Sequence, residues 1–321
     1  MVAAGQPLRI VFFGTPAFAV PTLDALLASQ HQVVAVVTQP DRPRGRGHRT
    51  TDAPIKARAL AAELVVLQPP RLRDEEFLTA LRELHPDLGV VAAYGKILTD
   101  DVLAAPRLGM VNVHASLLPK YRGAAPVHRA IVAGERETGV TIMRVVKQLD
   151  AGPMLASIRR PIGPDETSDH VELELARLGA DLLVATIDAM VDGTAREVPQ
   201  DEALATYAHR LTKDDGAIDW TSSPTQIHNL VRGLYPWPHA FTFLNGSRVI
   251  ILRADAIPDD ARPAGVPGRI EVAHADDLIV SAGGGRVALR QLQLEGKRPV
   301  TARDFLAGHR VAVGDCFSAA P

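Results

Sequence analysis

The sequence predicts an α/β protein in which a helix-covered parallel sheet is followed by a smaller, β-rich domain. As far as residue 193, short apolar runs alternate with longer helical patterns. Polar residues do not alternate within these runs, which is typical of parallel strands that are buried on both faces. Beyond a polar segment at residues 194–206, short β-like runs separated by turn sequences replace this pattern.

Composition agrees with this fold class and limits the possible functions. At about 150 residues per domain, the 321 residues suggest two domains. The 35 Lys and Arg are balanced by 37 Asp and Glu, which excludes a uniformly basic surface for binding nucleic acid but allows a local basic patch. The single cysteine excludes an internal disulfide and a zinc site built from several cysteines. No apolar run approaches the ~18 residues of a membrane helix, so we expect a soluble, cytoplasmic protein.

The first domain is predicted to span residues 1–193. Its predicted strands cover residues 8–13, 32–37, 65–67, 88–93 and 110–113. Helices are predicted at 21–29, 54–64, 74–84 and 165–192, where apolar side chains recur at helical spacing. A further strand follows residue 138 and ends in a turn at 150–152. Ligands of such sheets bind beyond the carboxyl ends of the strands, where we therefore look for the site.

The second domain is predicted to span residues 207–321, after a linker at 194–206. Its β-like runs cover residues 240–244, 248–252, 269–273, 277–280 and 286–294. Turn sequences separate them, among them Asn245-Gly246 and the three glycines at 283–285. This spacing is typical of a small β-barrel or sandwich.

The turn after the first strand argues against a dinucleotide-binding enzyme. It contains one glycine, Gly14, where a dinucleotide site needs several, and Pro16 removes a backbone amide. The sequence therefore disfavours a nicotinamide-dependent dehydrogenase.

Two polar residues close the strand at 110–113. Asn112 and His114 are two positions apart, so an extended backbone directs them to the same side. An Asn amide can donate to a developing oxyanion, and a histidine can carry a proton near neutral pH. The alternative is that both merely cap the next turn. Asp150 is likewise either a turn former or a partner for a protonated histidine.

Four motifs together resemble the folate-dependent formyltransferase family: GTPxF at 14–18, NxHxSLLP at 112–119, RGAAP at 122–126 and LDxG at 149–152. The resemblance covers almost the full length. It implies a Rossmann-like formyl-transfer domain followed by an OB-like β-barrel. It also implies that Asn112, His114 and Asp150 form the catalytic trio.

The same resemblance implies a formyl donor, 10-formyltetrahydrofolate, and no metal. It places donor contacts on two segments of the first domain. The predicted donor-binding residues are Ser116, Leu117, Leu118 and Pro119, together with Val91, Tyr94, Gly95 and Ile97.

A basic segment indicates the acceptor. Residues 41–58 carry six Lys and Arg against two Asp, within a sequence rich in Gly and Pro. Such a run is either a solvated loop or a contact for tRNA phosphates. Arg46 matches the family's recognition arginine, and Arg44 and Arg49 are predicted phosphate contacts. On the second domain the predicted tRNA contact is Lys213, with Arg232, Lys297 and Arg298 as further candidates.

Residues 207–220 and 235–238 resemble the family members that formylate initiator methionyl-tRNA for translation initiation. The resemblance therefore implies initiator methionyl-tRNA as partner, and we expect a monomer. An alternative acceptor is the amino sugar of a sugar nucleotide. Another alternative is a tRNA-binding module whose first domain is inactive, which the intact trio disfavours.

Overall fold

The computed structural model describes residues 6–41, 43–44, 49–50, 52–258 and 265–320. In chain order the strands are β1 Arg9–Gly14, β2 Gln32–Val37, β3 Pro43–Arg44, β4 Arg49–Thr50, β5 Val66–Leu67, β6 Leu88–Ala92, β7 Met110–His114, β8 Arg122–Gly123, β9 Glu137–Arg144, β10 Met154–Pro161, β11 Tyr207–Ala208, β12 Ala240–Leu244, β13 Ser247–Pro258, β14 Ile270–His274, β15 Asp277–Ala282, β16 Gly285–Leu294, β17 Val300–Thr301 and β18 Phe317–Ser318. The helices are α1 Val20–Ala28, α2 Pro54–Ala61, α3 Glu75–Glu83, α4 Asp100–Ala104, α5 Pro126–Val132, α6 Ser168–Val191, α7 Pro224–Gly233 and α8 Ala302–Gly308.

The chain divides into two compact units. The first comprises Met1–Pro126, Glu137–Arg160 and Glu172–Ala208. The second comprises Val127–Arg136, Pro161–Val171 and His209–Pro321. The domain boundaries expected from the sequence, at 193 and 206, stay a prediction.

The first unit is built on a sheet whose described strands run in the order β10-β9-β7-β6-β1-β2-β5. Strands β5, β2, β1, β6 and β7 pair in parallel, which confirms the predicted α/β class. Their apolar runs are buried, and every residue of β6 is inside. Strand β9 instead pairs antiparallel with β7. The parallel strands place their carboxyl ends at one edge, where β7 ends in His114.

The second unit is an antiparallel sheet in the order β14-β15-β16-β13-β12-β18, with β17 paired to β16. Its two outer strands approach each other, because Arg269, just before β14, forms a bridge with Cys316, just before β18. The sheet therefore curls towards closure, as the predicted barrel requires. Trp220 stacks on Phe317 inside its core, and the indole N–H donates to Thr242 Oγ1 at 3.0 Å. In the described ranges, no helix is long and apolar enough to cross a membrane.

Candidate active site

The end of β7 lies between two strands that contribute to the same site. Asn112 is the register partner of Val91 on β6 and of Met143 on β9. His114 is the register partner of Thr141 on β9. The structure thus brings one predicted catalytic residue directly beside a predicted donor-binding residue, Val91.

His114 is buried with both ring nitrogens facing oxygen atoms. Nε2 lies 3.0 Å from the backbone carbonyl of Tyr121, and Nδ1 lies 3.7 Å from Asp150 Oδ2. Because a carbonyl only accepts, Nε2 must carry a hydrogen in this arrangement. A protonated imidazole, which has a hydrogen on each nitrogen, fits both neighbours. The Nδ1 edge of the ring therefore faces the Asp150 carboxylate.

Asp150 is fixed by its side chain and by its backbone. The Gly123 N–H donates to Oδ2 at 2.8 Å, and the side chain of Gln200 donates to the Asp150 carbonyl at 2.8 Å. The carboxyl side chain is only 16% exposed. Asp150 thus lies beside His114 in an ordered turn, and its part in catalysis stays a prediction.

Asn112 is half-buried at the same strand end. Its carboxamide makes no hydrogen bond with any residue that the structure describes, so its N–H groups are available to a ligand. An amide donor beside a histidine is a suitable arrangement for stabilising an oxyanion.

The segment after β7 is held by a buried threonine that the sequence analysis missed. Thr141 Oγ1 donates to the Ser116 carbonyl at 2.8 Å and accepts from the Leu118 N–H at 3.2 Å. Ser116 Oγ in turn donates to the Lys120 carbonyl at 2.6 Å. These bonds shape the predicted donor-binding segment that runs from Ser116 through Leu117 and Leu118 to Pro119. A polar residue in the apolar run of β9 was the available signal.

The other predicted donor-binding segment divides into buried and exposed residues. Val91 is buried, and the Tyr94 ring packs edge-on against Phe13 in the core. Burial raises the pKa of Tyr94 to about 12. By contrast, Gly95 is exposed and Ile97 is 81% exposed. Ile97 therefore offers an apolar contact to a ligand, whereas the Tyr94 side chain serves the fold.

The carbonyl of Tyr94 is already bonded within the chain. It accepts hydrogen bonds from Thr15 Oγ1 at 3.1 Å and from Gln39 Nε2 at 2.8 Å. These bonds fix the loop after β6 to the loops after β1 and β2, all at the carboxyl edge of the sheet.

The predicted tRNA contacts are only partly described. Arg46 lies outside the described residues, and the structure gives the backbone of Arg44 and Arg49, which pair with each other in antiparallel register. Lys213 is exposed in the second unit. These four residues stay predictions.

Arg232 does not present its charge at the surface, so its selection as a tRNA contact was wrong. It is 8% exposed, and its guanidinium donates to Asn229 Oδ1 and to the carbonyls of Gly163 and Glu166. Burial lowers the pKa of Arg232. Its part is to join α7 to the loop before α6, within the second unit.

Residues expected to form a linker take part in the surroundings of the site. The backbone N–H of Arg122 donates to the backbone carbonyl of Thr206 at 2.9 Å, and β11 pairs in parallel with β8. Gln200 reaches the Asp150 turn. No pattern in the sequence predicts these contacts, because residues 194–206 are polar and lack a hydrophobic period. In the part of the chain that the structure describes, no group of three His, Cys, Asp or Glu side chains is placed to hold a metal.

Comparisons with known proteins match both parts of the chain. The family model described as "Formyl transferase" matches residues 8–187, and "Formyl transferase, C-terminal domain" matches residues 210–310. The methionyl-tRNA formyltransferase of Moorella thermoacetica is 46% identical over 308 residues, which are 96% of this chain and 98% of that protein. The methionyl-tRNA formyltransferase of Roseiflexus sp. is 48% identical over 311 residues, 97% of this chain and 95% of that protein.

Solved structures with the same fold are more distant in sequence. WlaRD, a sugar 3N-formyl transferase, superimposes with a TM-score of 0.66 at 18% identity, covering 92% of this chain and 100% of that one. HypX from Aquifex aeolicus, in complex with tetrahydrofolic acid, superimposes with a TM-score of 0.63 at 16% identity, covering 96% of this chain and 51% of that one. The matched family models and full-length relatives confirm the resemblance seen in the sequence: the chain belongs to the formyl transferase family.

Proposed function

We propose that this chain transfers the formyl group of 10-formyltetrahydrofolate to the α-amino group of methionine on initiator tRNA. We propose this acceptor because the chain is 46 and 48% identical to two methionyl-tRNA formyltransferases over nearly its whole length. The chemistry is supported by the geometry of Asn112, His114 and Asp150 at the end of β7.

The residues around the site fit a formyl donor. Asn112 has an amide without a bond to any described residue, and Ile97 exposes an apolar surface near the same sheet edge. Ser116–Pro119 would contact the donor on the other side of β7. When bound, the donor supplies an electrophilic formyl carbon. Asn112 then donates a hydrogen bond to the formyl oxygen, where negative charge develops during attack.

His114 and Asp150 supply the proton chemistry. The positive charge of a protonated His114 would stabilise the same oxyanion through space, and the proton on Nδ1, which Tyr121 does not engage, would pass to the leaving nitrogen. Asp150 keeps the charged ring oriented from the Nδ1 side. The nucleophile needs little help, because an α-amino group has a pKa of about 7.7–8.0 and is partly neutral at physiological pH.

The second domain, with Lys213, and the arginines at 44, 46 and 49 would hold the tRNA. Guanidinium groups suit phosphate and base-edge contacts on an acceptor stem. In this proposal residues 1–193 form the formyl-transfer domain, 194–206 the connection and 207–321 the tRNA-binding domain. Because the trio comes from one chain, a monomer suffices, and its place is the cytoplasm, where charged tRNA is used.

The test is formyl transfer by the purified enzyme to methionyl initiator tRNA, with 10-formyltetrahydrofolate as donor. We expect formylmethionyl-tRNA from the wild type. Because His114 would hold the transferred proton and stabilise the oxyanion, His114→Ala should lower kcat by about 10²–10³. Donor binding, followed by fluorescence titration, is the control for correct folding. A wild type that binds the donor but leaves charged tRNA unmodified would refute the proposal.

A further inference from the structure

Gln200 joins the turn of Asp150 to a buried arginine. Its Nε2 donates to the backbone carbonyls of Asp150 and Gly152, both at 2.8 Å. Its Oε1 accepts from Nε and Nη2 of Arg122, at 3.0 and 2.9 Å. These partners settle the orientation of the carboxamide, because a guanidinium only donates and a backbone carbonyl only accepts. The side chain thus uses both of its N–H groups and both acceptor positions of its oxygen.

Arg122 is fixed from its other side by Glu202. The guanidinium is 1% exposed, and Nη1 and Nη2 donate to the two carboxylate oxygens at 2.9 and 2.8 Å. Paired hydrogen bonds of this kind fix direction as well as distance. The carboxylate raises the pKa of Arg122, and the guanidinium lowers the pKa of Glu202. Arg122 therefore presents charged, immobile donors to Gln200.

The turn that Gln200 holds has an unusual backbone. Asp150 has a φ of +47°, in the left-handed region that residues with a Cβ rarely adopt. A Cβ at Gly152 would lie 1.9 Å from the Arg144 carbonyl, so the turn runs directly against the end of β9. The Gly123 N–H fixes the Asp150 carboxylate, whereas the two carbonyls of the turn bond to Gln200.

We propose that Gln200 is a positioning residue for formyl transfer, whose amide holds the Asp150 turn so that the carboxylate faces His114. This inference rests on the proposed function, in which Asp150 orients the charged ring of His114. Because the hydrogen bonds of Gln200 go to Asp150, Gly152 and Arg122, its removal should affect kcat and leave the KM of the donor unchanged.

Two substitutions separate positioning from general structural support. Gln200→Ala removes all four hydrogen bonds. Gln200→Glu keeps two acceptors for Arg122 but places a carboxylate oxygen against the carbonyls of Asp150 and Gly152. We expect both variants to lose about 10- to 100-fold in kcat, as small displacements of reacting groups do. The melting temperature of Gln200→Glu should be no lower than that of Gln200→Ala. If Gln200 serves only to satisfy Arg122, Gln200→Glu will keep wild-type kcat, and the proposal is overturned.

A double-mutant cycle tests whether Gln200 acts through Asp150. In an Asp150→Ala background the turn no longer carries the carboxylate, so adding Gln200→Ala should lower the single-turnover transfer rate no further. A second loss as large as that in the wild-type background would contradict the inference. Gln30→Ala is the matched control: its amide also donates a hydrogen bond, to Asp188 at 2.9 Å, but it lies between α1 and β2, at the amino edge of the sheet. Its kcat should equal that of the wild type.

The outcomes also separate this inference from the proposed function. Rates are measured with whichever acceptor the wild type formylates, methionyl initiator tRNA or an amino-sugar nucleotide. A wild-type enzyme that formylates neither acceptor would refute both the proposed function and the inference about Gln200. A wild type that is active, together with a Gln200→Ala variant of unchanged kcat, overturns only the inference about Gln200.

Discussion

Asn112 differs from His114 and Asp150 in that its side chain bonds to no described residue, whereas the other two are held within the chain. Asn112→Ala should therefore leave the melting temperature unchanged. If its amide serves the formyl oxygen, kcat should fall by about 10²–10³. Steady-state kinetics and thermal unfolding of the same preparation check both expectations. A variant with near-wild-type kcat would contradict a catalytic role for Asn112.

His128, in the second unit, predicts sensitivity to acid. Burial, and after it the charge of Arg129, lower the pKa of His128 to about 4. Between pH 6.5 and pH 4 the unfolded chain binds a proton that the folded chain does not, so folding loses stability as the pH falls through this range. The loss from this group approaches about 3 kcal/mol.

The control for this acid sensitivity is His128→Gln, which has no proton to bind. In urea unfolding from pH 7.5 to pH 4, the free energy of unfolding of the wild type should fall relative to that of the variant by up to about 3 kcal/mol. Curves that run parallel over the whole range would contradict the assignment.

Strand β9 illustrates which elements the sequence could predict. Val140 and Ile142 correctly identified a strand, but the strand ends at Arg144, before the turn at 150–152 in which it was predicted to end. Its antiparallel direction depends on tertiary contacts with β7, which no local pattern records. The next strand, β10, was missed because none of its residues is fully buried and it carries Arg159 and Arg160 at the sheet edge.

The close packing of β9 gives a test of the sheet. A Cβ at Gly139 would lie 2.1 Å from the Ile158 carbonyl and 2.5 Å from Leu117 Cδ2. Because both contacts involve packed neighbours, Gly139→Ala should cost about 1–3 kcal/mol in the free energy of unfolding. Gly308→Ala is the control, since a Cβ there meets nothing within 4 Å. It should be neutral or stabilising by about 0.4–1 kcal/mol in denaturant unfolding. Equal free energies of unfolding for the two variants would contradict the close packing around Gly139.

Across the whole molecule, the site is predictable where its residues cluster in sequence and not where the fold brings distant segments together. Asn112 and His114 end one strand, so their proximity followed from the local pattern. Gln200 lies 50 residues beyond Asp150, in a polar segment without periodicity. Its contact depends on how residues 200–208 fold back along the loop after β7, a long-range arrangement that the local sequence does not encode.

The prediction for tRNA selectivity concerns the basic segment at residues 41–58. Arg46→Ala should lower kcat/KM for methionyl initiator tRNA by the equivalent of about 1–3 kcal/mol, as expected for a lost base-edge contact. Donor binding should be unchanged. Arg44→Ala and Arg49→Ala are the controls: as phosphate contacts they should have smaller effects and each lower the salt slope by about one. If the three variants behave alike, the segment acts as a diffuse positive patch.

The most direct measurement is a competition in which the wild-type enzyme receives 10-formyltetrahydrofolate together with methionyl initiator tRNA and an amino-sugar nucleotide. The two formylated products give the ratio of kcat/KM values without separate calibration. We predict at least about 100-fold preference for the charged tRNA, equivalent to about 2.7 kcal/mol of transition-state binding. A preference for the amino sugar would contradict the proposed acceptor while leaving the formyl-transfer site intact.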